Sequence, residues 1–173
     1  MTDSNFLIDL EKFQLAEKKV AEFFEKEFKT KTISLNHDNK HDFKCLYNNH
    51  RELKVEVKGD RWCYPDKIVN YSFGPKLEKG RDSGNLFIET ECRGKLSGIN
   101  TSKSDYYAYY YVYFKKLWLI RTSDLKKLIL ENDFEIKDEN VGDKGSKTKG
   151  YVIPRDEFIE HFRVYDIDFE WPY

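Results

Sequence analysis

Several common features are scarce in this chain. Cysteine occurs three times, at 45, 63 and 92. An odd count with no CxxC pair offers neither a disulfide framework nor a zinc knuckle, and it fits a reducing, cytoplasmic setting. No run approaches the eighteen apolar residues of a membrane-spanning helix, and Met1 leads into Thr-Asp-Ser-Asn rather than a basic segment and an apolar stretch. Neither a membrane span nor a signal peptide is expected. Charge of one sign is also missing: 30 Lys and Arg against 31 Asp and Glu leave a net −1. Any binding to polyanions must come from local clusters of cations rather than from overall charge. No internal repeat and no linker break the chain, so residues 1–173 are read as one domain.

What is present is aromatic. Apolar residues make up only 39%, but Phe, Tyr and Trp reach 16%, with thirteen Phe and twelve Tyr. Each core position can therefore bury a large area. Residues 6–28 read as an amphipathic helix, with Phe13, Val20 and Phe24 on one stripe, Ala16 and Phe23 beside it, and Asp3–Ser4 or Asp9 as its cap. Strands are expected at 31–36 and 41–47, then, across the polar turn 48–51, at 52–58. Residues 59–84 read as irregular with room for a short helix. A strand follows at 85–91, then a Gly/Ser/Lys loop at 93–103. The aromatic strand 105–114 returns through 116–121. Ser123 is the expected cap of a helix at 123–132. A mobile loop is expected at 138–150, a short strand at 151–154 and a last helix at 155–162. This order implies an α/β fold with a mixed central sheet flanked by helices.

The stretch 52–58 carries the chemistry. Alternation sends Leu53, Val55 and Val57 to one face and Lys54, Glu56 and Lys58 to the other. Glu56 and Lys58 then stand side by side, roughly 7 Å apart along the strand. If 41–47 and 52–58 pair as a hairpin, Asp42 falls opposite 56–58. Two carboxylates, with the backbone carbonyl of Val57, suit a hard cation such as Mg²⁺ or Mn²⁺. A nearby ammonium, Lys58, can position a water or stabilise charge on a phosphate. Glu17 lies on the apolar stripe of the first helix. It either joins such a site, because a carboxylate on a core face needs a partner, or reaches solvent from the stripe's edge.

Thirteen residues separate Asp42 from Glu56-Val57-Lys58. This pattern resembles the PD-(D/E)xK, or restriction-endonuclease-like, nuclease superfamily, with His41 where the motif's proline would stand. The segment GNLFIETECRGKLSGINTSKSDYYAYYYV at 84–112 is similar to one in small phage-type members. The two regions together span 10–114. The resemblance implies a restriction-endonuclease-like core and hydrolysis of phosphodiester bonds, by an endonuclease acting on DNA in preference to RNA, in a bacterial or phage-infected cell. It implies Asp42, Glu56 and Val57 as holders of Mg²⁺ or Mn²⁺, Lys58 as the catalytic cation and Glu17 as a further carboxylate from the first helix. Glu89 would support the metal site or bind the lysine. Arg93, Lys95, Ser97 and Lys103 would hold phosphates, with Arg61 flanking the cleft. A homodimer or higher homo-oligomer would fit cutting of two strands.

Plainer readings stand beside these. Asp42, Glu56 and Lys58 also suit a solvated strand face with cross-strand ion pairs. The tyrosines of 106–113 suit core or interface packing better than base stacking. His37, His41, His50 and His161 lack metal-ligand spacing and read as surface residues, although His41 could touch phosphate beside Asp42. The lysines of 142–149 suit a disordered loop, or one that orders on DNA. Two rival functions are a nucleic-acid-binding module without catalysis and a partner-binding protein that uses the tyrosine strand.

Overall fold

Asp3–Phe28, within an N-terminal stretch that has no Gly or Pro, forms helix α1. Asp9 therefore lies inside the helix and cannot cap it. In the computed structural model the described residues are 3–38, 41–60, 63–141 and 147–168, with side chains placed at 14–35, 41–60, 63–70, 72–138 and 147–168. Phe13, whose side chain is outside that set, cannot be placed on the stripe; Ala16, Val20 and Phe24 are buried as expected.

Among the described residues twelve strands follow or interleave with a second helix: β1 (Lys31–Asp38), β2 (His41–Tyr47), β3 (Arg51–Asp60), β4 (Lys67–Tyr71), β5 (Gly74–Glu78), β6 (Asn85–Cys92), β7 (Lys95–Leu96), β8 (Tyr106–Tyr111), β9 (Lys116–Arg121), α2 (Thr122–Glu131), β10 (Glu135–Val141), β11 (Thr148–Pro154) and β12 (Arg163–Asp166). Six of them make a central sheet in the order β1-β2-β3-β8-β9-β12. Its β3–β8 joint is parallel and its other joints are antiparallel, so the sheet is mixed, as the element order implies. The β2–β3 hairpin turns through Asn48 and Asn49 at φ 51° and 61°, the left-handed region that Asn tolerates better than most residues.

The two faces of the sheet are covered differently. On one face α1 sets Ala16, Val20 and Phe24 against Phe43, Val55, Val57, Ala108 and Leu119. On the other, Tyr107, Tyr109, Trp118 and Ile120 meet Leu86 and Ile88 of β6, Ile153 of β11 and Leu125 and Leu128 of α2. β6 and β11 belong to a second, four-stranded sheet, β10-β11-β6-β7. Helices thus flank the central sheet, α1 on one face and α2 on the other, and the second face carries in addition a sheet that the element order did not imply. The tyrosine strand is core, with Tyr107 to Tyr111 each buried, and base stacking by these buried rings is ruled out by their burial.

Other expectations fail for local reasons. Residues 59–84 hold the β4–β5 hairpin, which turns at Gly74 with φ +118°, rather than a helix. Ile68 and Val69 are β-branched and favour strand. The segment 155–162 forms turns and one 3₁₀ turn at Ile159–His161, not a helix, and β12 follows it. α2 starts at Thr122 with Arg121 in the cap position and no side-chain cap bond; the Ser123 hydroxyl bonds Asp124 instead. Most of the expected mobile loop 138–150 is β10 and β11, with 142–146 outside the described residues.

Arg155, at the end of β11, ties the layers together. Its Nη1 and Nη2 donate to the two oxygens of Asp82 at 3.2 and 2.6 Å, and its guanidinium lies 4.9 Å from the Tyr111 ring centre and 5.7 Å from that of Trp118. A lysine can reproduce neither the fork nor the stacking. Arg155→Lys is expected to lower stability by about 1–2 kcal/mol and Arg155→Ala by about 2–3 kcal/mol, read as a loss in urea midpoint with unchanged m-value.

Candidate active site

The β2–β3 ladder runs from Tyr47↔Arg51 to Phe43↔Val55 and stops there. Two residues further His41 would face Val57, but His41 pairs with Asp38 on the other side. The strands part, and the Asp42 carboxylate enters the opening, where its Oδ2 accepts the Val57 N–H at 2.6 Å. In an extended strand the N–H and C=O of one residue leave by the same edge. The Val57 carbonyl therefore faces the same fork as Asp42.

Glu56 and Lys58 lie on the opposite face from Val55 and Val57, by alternation. Lys58 Nζ sits 2.9 Å from Glu56 Oε1, with side-chain exposures of 34% for Lys58 and 8% for Glu56. Solvent, and hence a ligand, reaches the pair through the lysine. Burial works against the Lys58 charge, but the neighbouring Tyr107 oxygen and the Glu56 and Asp42 carboxylates more than offset it, and its pKa is raised. Lys58 is thus a permanent cation here, suited to stabilising negative charge and unsuited to taking a proton.

Glu17 reaches the same field from α1. Its pKa is pushed up to about 8, first by burial, then by Asp42, with Glu56 adding to the rise and Lys58 partly offsetting it. The solvated-edge reading of Glu17 gives way to a carboxylate held among other carboxylates. Asp42, Glu56, Lys58 and Glu17, expected together from the sequence, are brought together.

The far wall of the site was not foreseen. Ser102 Oγ donates to Glu56 Oε2 at 3.5 Å and lies 2.8 Å from Ser104 Oγ, which lies 2.9 Å from Thr122 Oγ1. Lys126 Nζ donates to the Ser102 carbonyl at 3.4 Å. All three hydroxyl residues are buried, so a polar chain runs from Glu56 to the start of α2. Tyr107, registered beside Glu56, has a buried hydroxyl with no hydrogen-bond partner among the described residues. The parallel β3–β8 joint puts these residues beside Glu56. The one local hint is alternation through 105–111, which sets Tyr107 on the face opposite Ala108.

The remaining expected site residues lie elsewhere or are otherwise engaged. Among the described residues Glu89 makes no ion pair with Lys58: it accepts from the Ser97 hydroxyl and acts on Tyr107 through its charge. Ser97 is therefore committed to Glu89 rather than free for phosphate. Gly98 is needed for close packing, since a Cβ there would stand 2.2 Å from the Glu89 carbonyl oxygen. Arg93, Lys95 and Lys103 are exposed, with Arg93 in a turn at φ 53°. Arg61 lies outside the described residues. His41 is buried at 5%, against its expected surface position, while His50 and His161 are exposed and the side chain of His37 is not described.

Among the described residues no three His, Cys, Asp or Glu side chains are gathered into a ready-made metal cage. Mg²⁺ does not require one. It binds through one or two carboxylates and keeps several waters, and Asp42, Glu56 and the Val57 carbonyl supply hard oxygen donors of that kind at one fork. Among the described residues no helix is long and apolar enough to cross a membrane. Compared with protein-family models, with curated proteins and with solved structures, the chain matches none.

The raised Glu17 pKa has a measurable consequence. Between about pH 4.5 and 8 the folded chain holds a proton that the unfolded chain has lost. Stability therefore falls as pH rises through that window. Glu17→Gln has no proton to lose. In calorimetric scans it should melt above the wild type at pH 8 to 9, with the difference shrinking toward pH 5. Equal melting temperatures throughout would mean that Glu17 is solvated.

Proposed function

We infer that the chain is a Mg²⁺- or Mn²⁺-dependent nuclease of the PD-(D/E)xK type that hydrolyses phosphodiester bonds, with DNA as its polymer and internal scission as its mode. The observation that carries this reading is the Asp42 carboxylate in the β2–β3 opening, bonded to Val57 N–H beside the Glu56–Lys58 pair. The 84–112 segment supports it through its likeness to small phage-type nucleases. Cytoplasmic residence and action as a homodimer belong to the same reading.

Each residue has a stated task. Asp42, Glu56 and the Val57 carbonyl would hold the cation. When bound, a divalent cation polarises a phosphoryl oxygen and lowers the pKa of water. Lys58, a fixed ammonium, stabilises charge building on the phosphate as the P–O bond breaks. Lys58 occupies Glu56 Oε1 at 2.9 Å, so Glu56 would hold a cation through that oxygen only with the pair opened. Ser102 keeps the other Glu56 oxygen directed into the site. Glu17 holds a proton below about pH 8 and would lose it more readily with a cation held beside it.

The Glu56–Lys58 ion pair is also what a non-catalytic nucleic-acid-binding protein would show, and mutation separates the two. Glu56→Ala and Lys58→Ala should each lower Mn²⁺-dependent plasmid cleavage by at least about 10²-fold, with circular dichroism unchanged. Wild-type cleavage by purified Lys58→Ala would end the mechanism. No cleavage by the wild type on duplex, single-stranded, branched or RNA substrates would favour the non-catalytic reading.

A further inference from the structure

α1 ends at Phe28, before the face of the central sheet does. Beyond that end is a cleft of about 380 Å³ whose floor includes Phe24, Phe28 and Leu53. Its rim carries Arg51, Arg121 and Arg163, three of the seven arginines in the chain. Alternation puts all three on the α1 side of the sheet: Arg51 two and four residues before Leu53 and Val55, Arg121 two after Leu119, and Arg163 opposite Leu119. Tyr106 of β8, opposite Arg121, stands between Arg51 and Arg121, and Tyr47 of β2, opposite Arg51, flanks the line at its β3 end. The three guanidinium groups are exposed and form no ion pair or side-chain hydrogen bond among the described residues. One carboxylate, Asp124, also lines the cleft.

Three exposed arginines with no ion pair among the described residues converge on one recess, which leaves a positive rim on an apolar, aromatic floor. From strand spacing and rise, the backbone at 121 and 163 is about 8 Å apart, and at 51 and 121 about 16 Å apart. The charges therefore form a diagonal line rather than one anion pocket. A positive groove that tracks a backbone, with rings on which bases stack, is the arrangement that holds single-stranded nucleic acid. A duplex would touch only the rim, because its bases are stacked inward and cannot enter a recess of this size.

We propose that this cleft binds a single-stranded segment of nucleic acid, with Arg51, Arg121 and Arg163 on phosphates and Tyr47, Tyr106 and Phe28 against the bases. The proposal rests on the nuclease reading only for its purpose: it makes the substrate one with a single-stranded arm. The cleft lies at the Phe28 end of α1, about 16 Å along the helix from Glu17, so one strand can reach both places.

The test uses the full chain carrying Lys58→Ala, in EDTA, with fluorescence anisotropy of labelled dT12. The strand should bind at least 10-fold tighter than a blunt duplex of equal length. Arg51→Glu, Arg121→Glu and Arg163→Glu should each weaken dT12 binding at least 5-fold. The triple variant should lower the slope of log K against log salt by about 2. In the unmodified protein, a bromouracil-substituted strand should photo-cross-link to Tyr47, Tyr106 or Phe28, a readout that survives if a variant misfolds. Equal affinity for duplex, saturation by dTMP as tight as by dT12, equal competition by an acidic peptide, or cross-links confined to other surfaces would each overturn the proposal. Arginine-dependent dT12 binding without cleavage of any substrate by the wild type would support the cleft and remove the nuclease reading.

Discussion

One hydrogen bond organises this molecule's chemistry: the Val57 N–H donated to the Asp42 carboxylate. It takes the place of a ladder bond that His41 would otherwise accept, and so lets β2 leave β3 without stranding a buried donor. The opening that results is what brings a carboxylate, a backbone carbonyl and the Glu56–Lys58 pair to one place. It also lets both faces of the sheet contribute. Glu56 and Lys58 stand on the side of the second sheet, while Glu17 comes from α1 on the other. A fully zipped hairpin would still set Asp42 opposite Glu56, but it would tie the Val57 N–H and C=O into the ladder.

The electrostatics follow from that crowding. Three carboxylates share a partly buried space with one ammonium, which leaves an excess of negative charge. The protein relieves it by holding a proton on Glu17 up to about pH 8 and by fixing the charge of Lys58. The hydroxyl chain through Ser102, Ser104 and Thr122 adds dipoles without adding charge. It also joins the carboxylate of β3 to the first residue of α2, so the placement of Glu56 depends on how that helix sits.

Much of this was legible in the sequence, and the limit has a physical cause. Strand periodicity fixed which side Glu56 and Lys58 occupy, and the short polar turn at 48–51 fixed that Asp42 would approach them, because both are local. The apolar stripe through Val20 and Phe24 likewise placed Glu17. What stayed hidden depends on pairing between distant segments. Nothing near Ser102 or Tyr107 says that β8 lies parallel to β3, and nothing near Glu89 says that Ser97 takes its carboxylate. The helix expected at 155–162 and the loop at 138–150 failed in the same way: short segments of weak preference took the conformation that β6, β9 and the second sheet required. The arginines at 51, 121 and 163 are far apart in sequence and become neighbours only in the folded sheet.

The parallel joint between β3 and β8 also orders events in time. The hairpin that carries Asp42, Glu56 and Lys58 closes over a few residues, whereas β8 returns to β3 only after the chain has passed through β4 to β7. Contacts of high sequence separation close slowly because the intervening loop's entropy must be lost first. The Asp42–Val57 bond of the hairpin spans 15 residues and the Ser102–Glu56 bond of the wall spans 46, so the wall carries the larger closure cost. The surroundings of Glu56 are consequently complete only when β8 has docked against β3.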